Sequence, residues 1–172
     1  MFEKGMIIQN RYEIIEEVGS GGMSVVYKAK CHVLNRYVAM KVLKPEFADD
    51  TSFVNKFRIE AQSAAGLSHP NIVNVYDVGE ENGFYYIVME LVEGITLKEY
   101  IQKKGRLTPK EVIGITLQVC AGIESAHSNK IIHRDVKPSN ILVNDKWELR
   151  LLDFDASRQY KEEHNSSDTM LL

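Results

Sequence analysis

The chain has 172 residues, of which 44% are hydrophobic and 26% are charged, and its formal net charge is -3. This composition is that of a globular protein able to bury a core, and the slight negative charge argues against nucleic acid or an anionic membrane surface as a main partner. No apolar run is long enough to span a membrane, no signal-peptide pattern opens the chain, and the two cysteines lack metal-ligand spacing. We therefore expect this stretch to be cytoplasmic and to make no membrane contact.

The first half of the sequence is typical of an antiparallel β-sheet. Runs rich in β-branched and aromatic residues predict strands over 11–19, 25–31, 36–44, 72–78 and 84–91. Asn82-Gly83 predicts a tight hairpin between the last two. One helix, predicted over 52–67, interrupts the strands, and its apolar residues recur at helical spacing. They are Phe53, Phe57, Ala61, Ala64 and Ala65.

The second half is predicted to be mainly helical. A short helix over 97–104 precedes a capping box, Thr108-Pro109-Lys110-Glu111, that opens a long helix over 108–127. A small hairpin is predicted from 141–143 and 148–152. The predicted fold class is α+β, with a sheet-rich lobe over 1–91 and a partial helical lobe over 92–172. A cleft between two such lobes is the natural place for a ligand. Along the long helix, four apolar residues recur on one stripe that we expect to face the protein core: Val112, Val119, Ile123 and Ala126.

A glycine-rich loop lies between the first two predicted strands. It reads Gly19-Ser20-Gly21-Gly22-Met23-Ser24, and Val18 precedes it. Glycines let a backbone approach a phosphate closely and offer it N–H donors, although a glycine-rich hairpin turn would have the same sequence. Ser24 occupies the position of the third glycine in G-x-G-x-x-G.

Lys41 lies in the middle of an apolar strand, where alternation places it on the same face as Ala39. An isolated lysine there could be an edge residue whose ammonium reaches water. Glu60, however, falls on the apolar stripe of the predicted helix, and a buried carboxylate needs a partner. We expect Lys41 and Glu60 to pair and to leave ammonium protons for phosphate oxygens.

The strongest signal is His133-Arg134-Asp135-Val136-Lys137-Pro138-Ser139-Asn140, followed by Asp153-Phe154-Asp155. These residue types in this order fit phosphoryl transfer. Asp135 would orient or deprotonate an attacking hydroxyl, and Lys137 would stabilise charge on the transferring group. Asn140 and Asp153 supply the oxygen ligands that Mg²⁺ prefers. His133 is expected to be a packed structural histidine.

Taken together and in this order, these motifs resemble those of a eukaryotic-type Ser/Thr protein kinase. Within that family the sequence is most similar to bacterial membrane-anchored kinases with extracellular PASTA repeats, as FRIEAQSAAGLSHPNIVNV (57–75) and YIVMELVEG (86–94) illustrate. The resemblance implies a two-lobe kinase fold, ATP and Mg²⁺ as cofactors, and proteins carrying Ser or Thr as substrates. It also implies a possible homodimer for autophosphorylation, and no nucleic acid partner.

The resemblance further implies a nucleotide site. Met89 would be the gatekeeper, Glu90 and Val92 would offer backbone contacts to adenine, and Glu99 would contact the ribose. Three apolar side chains would sandwich the adenine ring: Val26, Ala39 and Leu142. The glycine loop, including Gly19, Ser20, Gly21 and Gly22, would cover the phosphates.

Some positions depart from the kinase pattern or bear on regulation. Asp155 replaces the glycine of Asp-Phe-Gly, and we expect it to restrict that segment or add charge near the metal. Arg134 suggests control by an activation-loop phosphate, for which Ser166, Ser167 and Thr169 are the candidate acceptors. The sequence ends before an A-P-E segment, so we expect a fragment of a longer kinase. The alternatives are an ATP-binding pseudokinase scaffold and a small-molecule phosphotransferase, which Lys137-Pro138 disfavours.

Overall fold

The computed structural model describes residues 2–154. The first part of the chain forms one antiparallel sheet of order β1-β2-β3-β4-β6-β5. Its strands are β1 (Ile7–Ile8), β2 (Tyr12–Ser20), β3 (Ser24–Cys31), β4 (Arg36–Leu43), β5 (Val75–Glu81) and β6 (Phe84–Glu90). The β5–β6 loop is the predicted Asn82-Gly83 pair, and both residues have positive φ, at 51° and 79°. Two such residues form the hairpin turn whose twist matches that of the strands.

The two faces of β4 differ as the alternation predicts. Val38, Met40 and Val42 are buried in the main apolar cluster of this sheet. Ala39 and Lys41 face the opposite way, toward the rest of the chain. Ala39 is the Cα partner of Met89 on β6. The sheet therefore carries a core on one face and a candidate binding surface on the other.

Two helices follow β4: α1 (Pro45–Ala48) and α2 (Thr51–Ala65). Asp50 caps α2 by accepting the Ser52 N–H at 2.8 Å. The buried stripe of α2 is Val54, Phe57, Ala61 and Ala64. The predicted stripe was therefore wrong at its two ends.

At those ends Phe53 is half-buried and packs against the ring of Phe47, and Ala65 is exposed. Val54 takes the first buried position because it lies three residues before Phe57 and seven before Ala61. That spacing keeps one face of a helix.

The second part combines a small sheet with two helices. Its strands are β7 (Gly94–Thr96), β8 (Ile141–Asn144) and β9 (Leu149–Leu151), in that order, and its helices are α3 (Leu97–Lys104) and α4 (Pro109–Ser128). Capping boxes open both helices, at Thr96 and Thr108. The buried face of α4 is centred on Ile115, Gly122 and Ala126. Val112, predicted to face the core, is 45% exposed, so the buried face begins one turn later, at Ile115.

One predicted strand is displaced along the sequence. β5 begins at Val75, not at residue 72, because Ile72 and Val73 bond to a different sheet. Ile72 bridges Leu151, and the Val73 N–H donates to the Leu151 carbonyl at 3.0 Å. β1 and β7 were not predicted, since strands of two and three residues give no alternating pattern.

The α+β class is confirmed: one antiparallel sheet with α2 precedes a mainly helical second part. Within residues 2–154, no helix is long and apolar enough to cross a membrane.

Candidate active site

A cavity of about 460 Å³ opens between the large sheet and the small one. The glycine loop and β3–β4 form one wall, the segment from Met89 to Gly94 forms the back, and Leu142 on β8 lies on the opposite wall. A second cavity of about 220 Å³ continues from it toward Asp135. Predicted residues that line the first cavity are Val18, Gly19, Ser20, Gly21, Val26, Ala39, Lys41, Met89, Glu90, Val92, Leu142 and Asp153.

The glycine loop leaves space where side chains would otherwise stand. A Cβ atom added to Gly19 or Gly22 would meet no atom within 4 Å, and one added to Gly21 would make ordinary contact with Ser24. None of the three has a positive φ. The folded chain itself therefore does not require glycine here, and the absence of side chains leaves room for the close approach of a ligand. Two breaks in the β2–β3 register, next to Glu16 and Gly19, bend the strand over the cavity.

Lys41 sits between two carboxylates at the junction of the cavities. Its Nζ atom lies 2.7 Å from Glu60 Oε1 and 2.7 Å from Asp153 Oδ1. The predicted pairing of Lys41 with Glu60 is confirmed. The side chains of Lys41 and Glu60 are 10% and 19% exposed, so the pair is largely shielded from water. A helix, a strand and the end of the described chain thus meet at one ammonium group.

Burial and ion pairing oppose each other in this triad. Burial alone would lower the pKa of Lys41, but the adjacent Asp153 and Glu60 carboxylates outweigh it and raise that pKa. Burial raises the pKa of Glu60, and Lys41 only partly offsets the rise. Burial also raises the pKa of Asp153, but the positive charge of Lys41 outweighs this effect, and the pKa of Asp153 is lowered. At neutral pH, Lys41 is therefore held as a cation.

The loop before β8 presents Asp135. Its carboxylate accepts Lys137 Nζ at 2.5 Å and Asn140 Nδ2 at 2.9 Å, and the hydrogen bond from Lys137 is the main cause that lowers the pKa of Asp135. The Asp135 backbone N–H donates to the His133 carbonyl at 2.9 Å. Asp135 borders the second cavity, so an ionised carboxylate faces the space next to Lys41.

Asn140 and Asp153 have oxygen atoms suited to a magnesium ion. The Asn140 side-chain amide nitrogen donates hydrogen bonds to Asp135. The Oδ1 oxygen of Asn140 can therefore act as an acceptor or a metal ligand. The Leu152 N–H donates to the Asn140 carbonyl at 2.9 Å and so ties Asn140 to the segment that carries Asp153. One Asp153 oxygen accepts the Lys41 ammonium at 2.7 Å, and the carboxylate also lies beside Glu60. Two hard oxygen donors, completed by phosphate and water, suit Mg²⁺.

The segment around Asp153 is held by aromatic packing. Phe154 is buried, and its ring lies 4.5 Å from that of His133, which confirms the structural role expected of this histidine. Burial lowers the pKa of His133. Arg134 and Asp153 both have left-handed backbones, with φ of 62° and 52°. Such strained residues concentrate at functional sites.

Six predicted site residues do not line the first cavity: Glu60, Asp135 and Asn140, described above, and Gly22, Lys137 and Glu99. Gly22 borders the second cavity. Lys137 contacts Asp135 but lines neither cavity. Glu99 caps α3, where its carboxylate accepts the Thr96 N–H at 2.9 Å, so its contact with a ribose stays a prediction. Asp155, Ser166, Ser167 and Thr169 lie outside the described residues.

Sequence reasoning missed several residues at the cavities. Glu16 and Lys28 line the first cavity, and strand alternation from Val18 and Val26 could have found both. Thr96 lies there because β7 pairs it with Leu142. Lys56, one helical turn before Glu60, borders the second cavity. The capping-box pattern places Thr96 at the start of α3, but no motif in the sequence links Thr96 or Lys56 to a cavity.

Comparison with known proteins matches this geometry to a family. The model of the protein kinase domain matches residues 12–171. The chain is 51% identical over 150 residues to the serine/threonine-protein kinase PrkC of Bacillus subtilis, covering 87% of this chain and 23% of PrkC. It is 44% identical over 163 residues to the serine/threonine-protein kinase PknB of Mycobacterium tuberculosis, covering 92% of this chain and 26% of PknB. The chain thus spans about a quarter of the length of these relatives.

Solved structures agree with the sequence matches. The kinase domain of M. tuberculosis PknI superimposes with a TM-score of 0.79 at 30% identity, over 90% of this chain and 62% of that one. The two-lobe kinase-like fold is therefore confirmed, with the second lobe represented in part. Protein kinases as a class use ATP and Mg²⁺. A domain match that runs through nearly all of the sequence, together with half-identical relatives, shows that the chain belongs to the protein kinase family.

Proposed function

We propose that this chain carries the nucleotide site and the catalytic loop of a protein serine/threonine kinase, which transfers the γ-phosphoryl group of ATP to Ser and Thr hydroxyls. The observation that supports it most is the Lys41 ammonium, held between Glu60 and Asp153 in a cavity that continues to Asp135. Catalysis of phosphoryl transfer consists mainly of positioning and of stabilising charge, and these residues serve both.

The first cavity supports an adenine site. Val26 and Ala39 on one side face Leu142 on the other, as the sandwich of an aromatic base requires. Val92 makes no backbone hydrogen bond within residues 2–154, so its N–H and C=O are available to a base edge. The glycine loop and Lys41 would then hold the phosphates at the inner end.

Asp135, Lys137 and Asn140 support the chemical step. An ionised Asp135 can accept or orient the proton of a substrate hydroxyl, and Lys137 beside it can offset charge on the transferring group. Asn140 and Asp153 would hold Mg²⁺, which when bound neutralises charge on the phosphates.

The test is incorporation of radiolabelled phosphate from ATP with magnesium into a protein substrate by the full-length protein, next to its Asp135→Asn variant. We expect incorporation that the substitution reduces by at least about a hundredfold. ATP binding without incorporation would contradict the proposal and favour an ATP-binding pseudokinase scaffold.

The remaining expectations are proposals of the same kind. We infer a boundary between the lobes at residues 91 and 92, which is supported by the change of sheet between Glu90 and Gly94. We infer protein substrates and a cytoplasmic site of action, with a membrane anchor elsewhere in the full-length protein. A homodimer for autophosphorylation stays a prediction.

A further inference from the structure

One lysine holds the tip of the glycine loop against the end of β4. The Lys44 ammonium donates to the Gly22 carbonyl at 3.1 Å, and the Lys44 backbone N–H donates to the Met23 carbonyl at 2.9 Å. Two consecutive carbonyl oxygens of the loop therefore bind the same residue. The Met23 side chain is half-buried and packs against the apolar cluster beneath α2. That cluster includes Leu43, Val54, Phe57 and Ala61.

This attachment fixes the direction of one peptide plane. No cis peptide occurs among residues 2–154, and in a trans peptide the C=O of Gly22 and the N–H of Met23 point in opposite directions. Because the Gly22 carbonyl is turned to Lys44, the Met23 N–H points away from Lys44. That N–H makes no hydrogen bond within the described part of the chain. Met23 also borders the second cavity, together with Lys41 and Asp135.

We propose that Lys44 is a positioning residue that orients the Gly22–Met23 peptide so that its N–H is presented to the phosphate groups of the nucleotide. This inference rests on the proposed function. Lys44 itself lines neither cavity, so it acts through the loop backbone and does not touch the ligand.

The physical basis is preorganisation. A loop with glycine at positions 19, 21 and 22 loses more backbone freedom on ordering than other sequences do. If Lys44 and Met23 restrict the loop before a ligand arrives, part of that loss does not oppose binding, and affinity rises. The gain should depend on the phosphates, because the adenine walls at Val26 and Leu142 do not contact Lys44 through any hydrogen bond in residues 2–154.

Nucleotide affinity measures this effect directly. The dissociation constants of ATP, ADP and adenosine are measured by calorimetry on the full chain, on Lys44→Met and on Lys44→Arg. Lys103→Met on α3 is the matched control, since it removes one exposed lysine that makes no hydrogen bond or ion pair among residues 2–154. We expect Lys44→Met to weaken ATP and ADP about three- to tenfold, the value of one ordinary hydrogen bond, and to leave adenosine unchanged. Lys44→Arg should restore binding.

A second measurement separates a held loop from a simple charge effect. Without nucleotide, amide hydrogen exchange of residues 19–24 should be faster in Lys44→Met than in the unsubstituted chain, whereas loss of distant charge alone would leave it unchanged. Equal ATP affinity in Lys44→Met, equal weakening of adenosine, or unaltered exchange would each overturn the inference. Absence of ATP binding by the unsubstituted chain would instead overturn the proposed function.

Discussion

At the scale of single residues, Lys41 forms ion pairs with two carboxylates at once. Glu60 and Asp153 each lie 2.7 Å from its ammonium group. Removing that ammonium would leave both carboxylates close together without a cation, and an unpaired buried charge is more harmful than the loss of the whole pair. The contribution of Lys41 to stability can thus be measured apart from its proposed role toward a nucleotide.

Lys41→Met should lower the free energy of unfolding by about 2–3 kcal/mol, because Glu60 is shielded and would lose its partner. Adding Glu60→Gln to the Lys41→Met variant should recover part of the lost free energy of unfolding, since the glutamine amide carries no charge. Urea denaturation of the two single variants and the double variant measures the coupling. Strictly additive effects would show that the pair contributes nothing beyond its members.

Part of this triad could be predicted from the sequence, and part could not. Glu60 was found because a carboxylate on an apolar helical stripe requires a cation, and Lys41 was the buried candidate. The contact of Lys41 with Asp153 was missed because the two lie 112 residues apart, and only the tertiary fold brings them together. For Glu99 the family resemblance implies a contact with a ribose, whereas in the structure its carboxylate completes the capping box of α3, a local interaction.

At the scale of elements, α4 approaches β9 through a glycine. A Cβ atom at Gly122 would lie 2.8 Å from Leu151 Cδ1 and 3.1 Å from the Asn71 carbonyl oxygen, whereas one at Gly114 on the same helix would meet nothing within 4 Å. Leu151 is buried, and a backbone carbonyl cannot move independently. The long helix therefore needs a small residue at one position and tolerates a larger one two turns earlier.

Gly122→Ala should destabilise the protein by about 1–2 kcal/mol through overpacking, in spite of the better helix propensity of alanine. Gly114→Ala is the control on the same helix and should stabilise by about 0.5–1 kcal/mol. Thermal denaturation of both variants measures the difference. If the two substitutions shifted the midpoint in the same direction, tight packing at Gly122 would be refuted.

The start of α4 is stabilised by an ionised Glu111. Hydrogen bonds from Lys104, Thr108 and Tyr100 lower the pKa of Glu111 to about 2. A lowered carboxylate pKa contributes stability above the unfolded value of 4.5, and that contribution disappears as the pH falls toward 2. Glu111→Gln should therefore have a lower Tm than the unsubstituted chain at pH 7, with a gap that narrows below pH 4.5. A gap independent of pH would contradict this.

The capping box at Thr108 and the hairpin at Asn82-Gly83 were both predictable, because each depends on residues within four positions of one another. The start of β5 and the pairing of β7 with β8 were not, since both depend on distant partners. Ile72 bridges Leu151, and Gly94 pairs with Asn144. Features that depend on neighbouring residues can thus be predicted from the sequence, whereas pairing between residues far apart in the sequence requires the fold.

At the scale of the whole molecule, a single carboxylate connects the two sheets. Glu90, at the end of β6, accepts hydrogen bonds from the Asn74 side-chain amide at 3.0 Å and from Arg150 Nε on β9 at 3.1 Å. The side chains of Arg150 and Glu90 are 19% and 20% exposed. Glu90 also borders the first cavity, so the same residue joins the sheets and forms the back of the candidate nucleotide site.

Arg150→Met should therefore cost about 1–2 kcal/mol of stability, because a half-buried carboxylate loses its only cation among the described residues. Arg58→Met is the matched control: Arg58 pairs with Glu80 at 3.3 Å, but those side chains are 49% and 46% exposed, and the loss should stay below about 0.5 kcal/mol. Urea denaturation compares the two. Similar losses would mean that shielding from water adds nothing to the Arg150–Glu90 pair.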